Sequence, residues 1–410
     1  ERTVRIARWA IVGVLAFAGG WTLVSFLTVH PTRMAGALAL TLLFVFPLAG
    51  FVIWRFRGRA VLGAALVALL ALGGGYVANA AVVLGREDHR EVGELTRRAG
   101  DPGDGHTAVI YFTHGEPETY DPIGWLNQFR EFDEQGIPFV PFAVRPLFLY
   151  QLRDAYLTVG SSQHRQRHLV MAQAVEDALM ADGHTDVRVY PSFLDDDPRP
   201  DAALIQALNE GAGEVVVAEV FVSISNHTAE GEDQIRAMDY ESLGVPVRFT
   251  GPLWDSETLH RMFVEKVEAE RGDLSPDEVA VLLVGHGQPD EWDVEWPTET
   301  EHEIGLRTNI IEALVDAGYD RENLDLAWMD YTEPHVPERA AELAAQDVRK
   351  LVFFSTGISA ESIHSQYDVP ELVAEAGIDG DVEVVNLGAW NDHPLTIEAI
   401  TERVEELLPE

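Results

Sequence analysis

With 410 residues the chain is too long for one hydrophobic core, so a membrane part or several soluble units are expected. Acidic residues outnumber basic ones 68 to 29, and a polyanion of net charge −39 repels phosphate backbones, which argues against nucleic acid as a partner. Cysteine is absent, which excludes disulfides, thiolate metal sites and cysteine nucleophiles.

The charge is unevenly spread. Residues 1–98 carry eleven arginines against five carboxylates, so the remainder alone stands at −45. Such a surface suits a protein kept hydrated in a salty medium, and it also gathers cations, so metal ions are natural partners.

Three apolar runs open the chain, Trp9 to Val29, Met34 to Trp54 and Ala60 to Gly85, none containing a charge. Each approaches the ~20 residues that span a bilayer, and three in succession read as permanent helices rather than a cleaved signal. Residues 1–86 are therefore expected to be a three-helix transmembrane anchor, with Trp9 and Trp54 as interfacial residues. Arg2, Arg5 and Arg8 precede the first run and Arg55, Arg57 and Arg59 fill the second loop, whereas the first loop has only Arg33. Positive loops stay cytoplasmic, so an integral membrane protein with an extracytoplasmic soluble part is expected. No charge interrupts the runs to suggest a transport path.

Residues 87–107, rich in glycine toward their end, read as a linker. Beyond it, short Val, Ile and Phe runs alternate with amphipathic helical patterns, as in a parallel sheet covered by helices. Strands are expected near Ala108, Val187, Val215, Val247, Val279, Leu324, Leu351 and Val382. A helix is expected from Thr298, with Glu301 at capping-box spacing and Ile304, Ile311, Leu314 and Val315 on its core face. Another begins at Pro394 with Leu395, Ile400, Val404 and Leu407 inward.

Three patterns occur twice in the same order. AVIYFTHGEP from Ala108 matches AVLLVGHGQP from Ala280; Phe193-Leu194-Asp195 matches Trp328-Met329-Asp330; and FVSISNH ending at His227 parallels FSTGISAESIH ending at His364. The fold class expected is α/β: two similar four-stranded parallel-sheet halves with flanking helices, residues 108–272 and 273–410, facing each other across a cleft.

Ligands of open parallel sheets bind beyond the carboxyl ends of strands. There the second half places His286, Asp330 and His364, two imidazoles and a carboxylate that can hold a divalent metal loosely and accept protons. His114 and His227 are their second-rank counterparts. His164 and His168 lie at i and i+4, but Arg165 and Arg167 interleave with them, so a solvated helix face is expected. His302 sits in an acidic run, where a second cation site and a hydrated face are both open readings. No phosphate-binding or dinucleotide fingerprint and no GxSxG is present, so no nucleotide cofactor is expected.

At these residues the chain resembles the tetrapyrrole chelatases, the ferrochelatases and the sirohydrochlorin cobalt or nickel chelatases. The resemblance runs from about Ala108 to Leu408; the three-helix anchor has no counterpart in the usual pattern. VLLVGHGQPDEW looks like the family's strand, His-Gly and Pro segment, which implies that His286 binds metal and accepts protons. STGISAESIHSQYDVPEL looks like its second signature, with His364 where ferrochelatases carry a catalytic glutamate and sirohydrochlorin chelatases a histidine. Asp330 matches a strand-end glutamate of the latter, one methylene shorter.

The resemblance implies a lyase of tetrapyrrole biosynthesis that takes Co, Ni or Fe as substrate. His286 and His364 would be metal ligands and proton acceptors, Asp330 a ligand or orienter, and Glu361 an auxiliary base. Arg145, Arg165 and Arg307 are candidate partners for ring carboxylates. A non-catalytic metal- or haem-binding carrier at the membrane surface is the alternative.

Overall fold

The computed structural model describes residues 2–88, 90, 92–137 and 139–408. His89 and Glu91 of the expected linker, and Pro409 and Glu410 at the end of the second half, lie outside the described residues. Contacts divide the chain into two units, residues 1–90 with 119–161, and residues 91–118 with 162–410.

The first unit opens with helices α1 (Arg2–Thr28), α2 (Pro31–Arg55) and α3 (Arg59–Leu84). All three are long and apolar enough to cross a membrane. In lipid, association of such helices would rest on close packing and interhelical hydrogen bonds. Glycine provides the first: a Cβ on Gly20 would lie 1.9 Å from the Leu72 carbonyl oxygen, and one on Gly75 2.0 Å from that of Phe17. Asn79 provides the second, donating from its buried amide to the Trp21 carbonyl at 2.6 Å and to Ser25 Oγ at 2.9 Å.

Two further helices, α4 (Ile123–Gln135) and α5 (Arg145–Val159), belong to this unit, although the sequence reading placed them in the first soluble half. Leu84 of α3 packs with Leu126, Phe129 and Leu149 from this pair. Arg153, 1% exposed, donates to the carbonyls of Phe26 and Val29 at 2.7 and 2.8 Å. The orphan acceptors at the end of α1 thus receive a cation, which the helix dipole also favours.

The second unit contains two four-stranded sheets, all parallel. The first is built from β1 (Thr107–Thr113), α6 (His164–Ala181), β2 (Val187–Phe193), α7 (Pro200–Glu210), β3 (Glu214–Glu219), α8 (Asn226–Arg236), β4 (Val247–Phe249) and α9 (Glu257–Arg271). The second contains β5 (Val279–Gly285), α10 (Asp290–Glu295), α11 (Pro297–Asp316), β6 (Leu324–Trp328), α12 (Val336–Ala344), β7 (Lys350–Ser355), α13 (Val369–Glu375), β8 (Glu383–Asn386) and α14 (Pro394–Glu405). Strand orders are β2-β1-β3-β4 and β6-β5-β7-β8, the same order twice. In register, Thr107 meets Val187 and Glu214, while Val281 meets Leu324 and Val352.

The eight expected strands are all present, each starting within one residue of its expected position. Their legibility has a physical cause. Strands β1, β5 and β7 are buried along their whole length, so their central residues read as apolar runs. The halves do not merely face each other: Val109, Tyr111, Leu283, Phe354 and Trp390 belong to one continuous core.

The duplication extends to backbone detail. Asp195 N donates to the His114 carbonyl at 2.9 Å, and Asp330 N to the His286 carbonyl at 3.1 Å. Helix α14 starts at Pro394 as expected, with Ile400 and Val404 buried. Helix α11 differs from expectation. Pro297, whose fixed φ suits a first helical position, starts it one residue early, and the Thr298 hydroxyl donates to the Ile224 carbonyl instead of capping. Its buried face is Leu306, Ile310, Ile311 and Leu314, with Ile304 exposed.

Candidate functional site

The two His-Gly turns follow the carboxyl ends of the central strands β1 and β5. Gly115 and Gly287 take φ of 106° and 83°, which L side chains rarely adopt. Space forbids a side chain as well: a Cβ on Gly287 would lie 2.3 Å from the Asp330 carbonyl oxygen, and one on Gly115 2.9 Å from Phe193 Cβ. Each turn folds its histidine back onto its own glycine. His114 Nδ1 lies 2.9 Å from the Gly115 carbonyl and His286 Nδ1 2.7 Å from that of Gly287. A carbonyl only accepts, so Nδ1 carries the proton in each ring and Nε2 keeps its lone pair for a metal or a proton.

His364 comes from a π-helical turn, His364–Asp368, after β7. Its ring stands edge-on to His286 with centroids 5.4 Å apart. Asp368 Oδ2 lies 2.7 Å from His364 Nδ1, so in this ring too Nε2 is the free atom. The backbone after β6 puts Asp330 beside both: its main chain bonds to His286, and its carboxylate acts on both imidazoles. Among the described residues no three His, Asp or Glu side chains gather tightly enough to close around an ion. An ion on this histidine pair therefore keeps positions for solvent or for other nitrogen donors.

Glu361 is engaged elsewhere. Its carboxylate accepts from Ala389 N at 3.2 Å, Asn391 Nδ2 at 3.0 Å and Ser365 Oγ at 2.6 Å, bracing the loop after β8. A further carboxylate that acts on the histidines is Glu116. It accepts from Ile363 N at 3.0 and 3.2 Å and from Ser162 Oγ, tying the first His-Gly turn to the segment carrying His364. One signal was in the repeat itself, where Glu116 stands against Gln288.

From the first half, His114 and His227 form a second edge-on pair with centroids 4.9 Å apart. His114 Nε2 lies 3.5 Å from Asp195, the counterpart of Asp330. His114 acts electrostatically on His286, and His286 in turn on His227, so the two pairs lie near each other.

The expectation for His164 and His168 is overturned. They are 4% and 0% exposed, with rings 4.4 Å apart. His168 bonds through Nδ1 to the Tyr111 hydroxyl at 2.9 Å and through Nε2 to Ser359 Oγ at 3.2 Å. Their phase gives the reason: they line up with buried Met171, Val175 and Leu179, while Arg165 and Arg167 turn outward to Asp196 and Asp392. His302 is stacked on Trp254 at 4.7 Å and accepts from Ile224 N, a packing role.

The candidate arginines are also paired elsewhere. Arg145 bonds Asp133 in the first unit and Arg165 bonds Asp196. Arg307 is fully buried beneath the second His-Gly turn, where it donates to the Ala327 carbonyl at 2.8 Å and lies over Trp328 at 3.8 Å. Its neighbour Glu303 accepts from His286 N at 3.2 Å, so this buried ion pair fixes the backbone of the leading site residue.

The environments of His286 and His364 push their protonation apart. Burial, then the charge of His364, draws His286 below its ordinary value. Burial also acts to lower His364, but Asp368, Glu116 and Asp330 outweigh it and carry the imidazole up to about 9. At neutral pH His286 is a free base and His364 holds a proton. A metal on the pair must displace that proton, so affinity should tighten as pH rises from 7, by up to about tenfold per unit, and level off above about 9. Asp368→Asn should move the plateau to lower pH. Metal titrations across this range check it; an affinity independent of pH contradicts it.

The ferrochelatase family model matches residues 106–408. No curated protein matches the chain. Among solved structures, SirB from Bacillus subtilis with Fe3+ is 16% identical, with 73% of this chain and 95% of that one covered and a TM-score of 0.47. The sirohydrochlorin chelatase SirB from Bacillus subtilis subspecies spizizenii, in complex with cobalt, is 14% identical, with 73% and 94% covered and a TM-score of 0.45. CbiX, described as the terminal enzyme for biosynthesis of siroheme in denitrifying bacteria, is 12% identical, with 74% and 100% covered and a TM-score of 0.41.

Proposed function

Because the chain belongs to the ferrochelatase family, we propose that it is a membrane-anchored metal chelatase, a lyase that inserts Co, Ni or Fe into a sirohydrochlorin-type or porphyrin ring. The observation that carries this reading is the His286–His364 pair, with both Nδ1 atoms engaged by the protein, both Nε2 atoms left to the site and opposite protonation preferences. Insertion requires stripping water from the ion, exposing ring nitrogen lone pairs and removing two pyrrole protons.

In this reading His286 Nε2 is the first base, neutral and held in one tautomer before substrate arrives. His364 gives up its proton as metal binds, and the carboxylates of Asp368, Glu116 and Asp330 compensate the charge that develops. Asp330 orients the pair from the end of β6. His114 and His227 contribute two more imidazoles to the same site, where they serve as secondary ligands for the incoming ion. The three N-terminal helices anchor the chain in the membrane, and the arginine distribution favours an extracytoplasmic soluble part. The domain limits proposed are 1–86, 87–107, 108–272 and 273–410, although residues 119–161 of the third pack in the unit that holds the three N-terminal helices.

The test is an insertion assay on the full chain in detergent or nanodiscs, with sirohydrochlorin or a porphyrin and each metal in turn, followed by absorbance. Turnover above the uncatalysed rate is expected for at least one combination. No turnover with any pair, together with tight binding of metal or haem, would replace the chelatase reading with the carrier.

A further inference from the structure

Residues 137–150, IPFVPFAVRPLFLY, contain one charge in fourteen positions, too short a run to span a bilayer but typical of a re-entrant or interfacial segment. The segment links α4 to α5, and its place in the first unit is set by contacts with α1 and α3. The Tyr76 hydroxyl donates to the Ala143 carbonyl at 2.7 Å. Tyr76 lies two helical turns before the end of α3 at Leu84, a depth of ~12 Å along the helix. Tyr150 stacks near Phe26, 6.0 Å between centroids, while Arg153 caps α1. The hairpin tip therefore runs down alongside the helices instead of standing off from their ends.

Several of its polar groups are paired within the protein. Arg145 forms a two-point bond with Asp133 at 2.7 and 2.5 Å, donates from Nε to the Val140 carbonyl and lies over the Phe129 ring. Val144 N donates to the Pro141 carbonyl and Ile137 N to that of Phe132. Prolines at 138, 141 and 146 have no N–H to satisfy. Irregular backbone survives at membrane depth only when it is paired off in this way, and an intramembrane arginine only when it is neutralised. What the tip leaves uncovered is apolar: Phe142, Val144 and Leu147 are 39%, 45% and 45% exposed.

We propose that residues 139–150 form a re-entrant hairpin held in the bilayer against α1 and α3, with Phe142, Val144 and Leu147 in contact with lipid acyl chains. This rests on the reading of α1 to α3 as membrane helices and adds a fourth membrane element, placed in sequence between β1 and α6.

The chain has no cysteine, so one introduced cysteine takes one label. Phe142→Cys, Leu147→Cys, Leu43→Cys on the exposed side of α2 and Val294→Cys on α10 would each carry an environment-sensitive fluorophore in the full chain. The vesicles would be phosphatidylcholine and phosphatidylglycerol, with or without brominated acyl chains. Positions 142 and 147 should lose emission to the brominated lipid to the same extent as 43, while 294 should not. Labels at 142 and 147 that behave like 294 while 43 is quenched would overturn the hairpin and leave the anchor standing. A label at 43 that is also unquenched would overturn the anchor and the hairpin together.

Discussion

His286→Ala is expected to lower the rate of metal insertion by roughly 10²–10⁴-fold while leaving the chain folded. The side chain is half-buried, and its one hydrogen bond, from Nδ1 to the Gly287 carbonyl at 2.7 Å, is local to the turn. The turn itself is fixed by main-chain contacts, His286 N to Glu303 and Asp330 N to the His286 carbonyl, which alanine retains. What alanine removes is the neutral Nε2, the base available at pH 7.

His364→Ala should act in the same direction through loss of a ligand. Because the two imidazoles act on one ion and one ring, the double variant should be little worse than the poorer single one. Initial rates at saturating metal and ring, with circular dichroism as the control for folding, provide the measurement. Insertion that persists at the parental rate in the double variant would mean that the reaction is carried elsewhere.

The largest loss of stability is expected from Arg307→Met. Arg307 is 0% and Glu303 5% exposed, and the pair sits 3.5 Å apart beneath the second His-Gly turn. Removing the cation leaves a buried carboxylate whose remaining partner is His286 N, a change that costs about 3–5 kcal/mol in comparable sites. Burial already pushes the Glu303 carboxyl up, with Arg307 and His286 N opposing, so without Arg307 it should take a proton more readily still.

The sign of the pH dependence follows. The variant should be least stable, relative to the parent, at high pH, where the orphaned carboxylate must stay charged, and should recover as pH falls. Arg307→Met combined with Glu303→Met should recover part of the loss at neutral pH, since a pair of apolar side chains leaves no unpaired charge. Denaturant unfolding of the full chain in detergent at several pH values would check all three; a destabilisation that does not change with pH would contradict the assignment.

Much of this molecule was legible before its coordinates because its central strands are covered on both faces. Val279 to Gly285 reads as a strand since every residue in it is buried, and the repeat of His-Gly-x-Pro marks the same turn twice. The pairing of His286 with His364 was indicated by position after the strands together with the recurrence of the pattern in the first half. Glu116 was missed because a carboxylate beside proline resembles any loop acid until Ser162 and Ile363 are seen around it.

The α6 histidines were misjudged by weighing their immediate neighbours instead of their helical phase, which Met171 and Val175 display. Residues 119–161 were misplaced for a different reason. Chain order favours assigning a segment to the unit that encloses it, whereas packing is decided by partners such as Leu84, Phe26 and Thr28 that lie far away in sequence.

That detour imposes an order of events on synthesis. The three apolar helices precede β1 in the chain, yet the first partner of β1 to emerge, β2, appears only after the whole α4–α5 hairpin. A largely apolar strand with unpaired edges is prone to wrong pairings while it waits. Docking of the hairpin on helices already seated would bring the chain back at Ser162, where Glu118 receives its main-chain bond, before the sheet can close. The anchor would then act as a template for the timing of folding, and its removal would lengthen the period during which β1 has no neighbour.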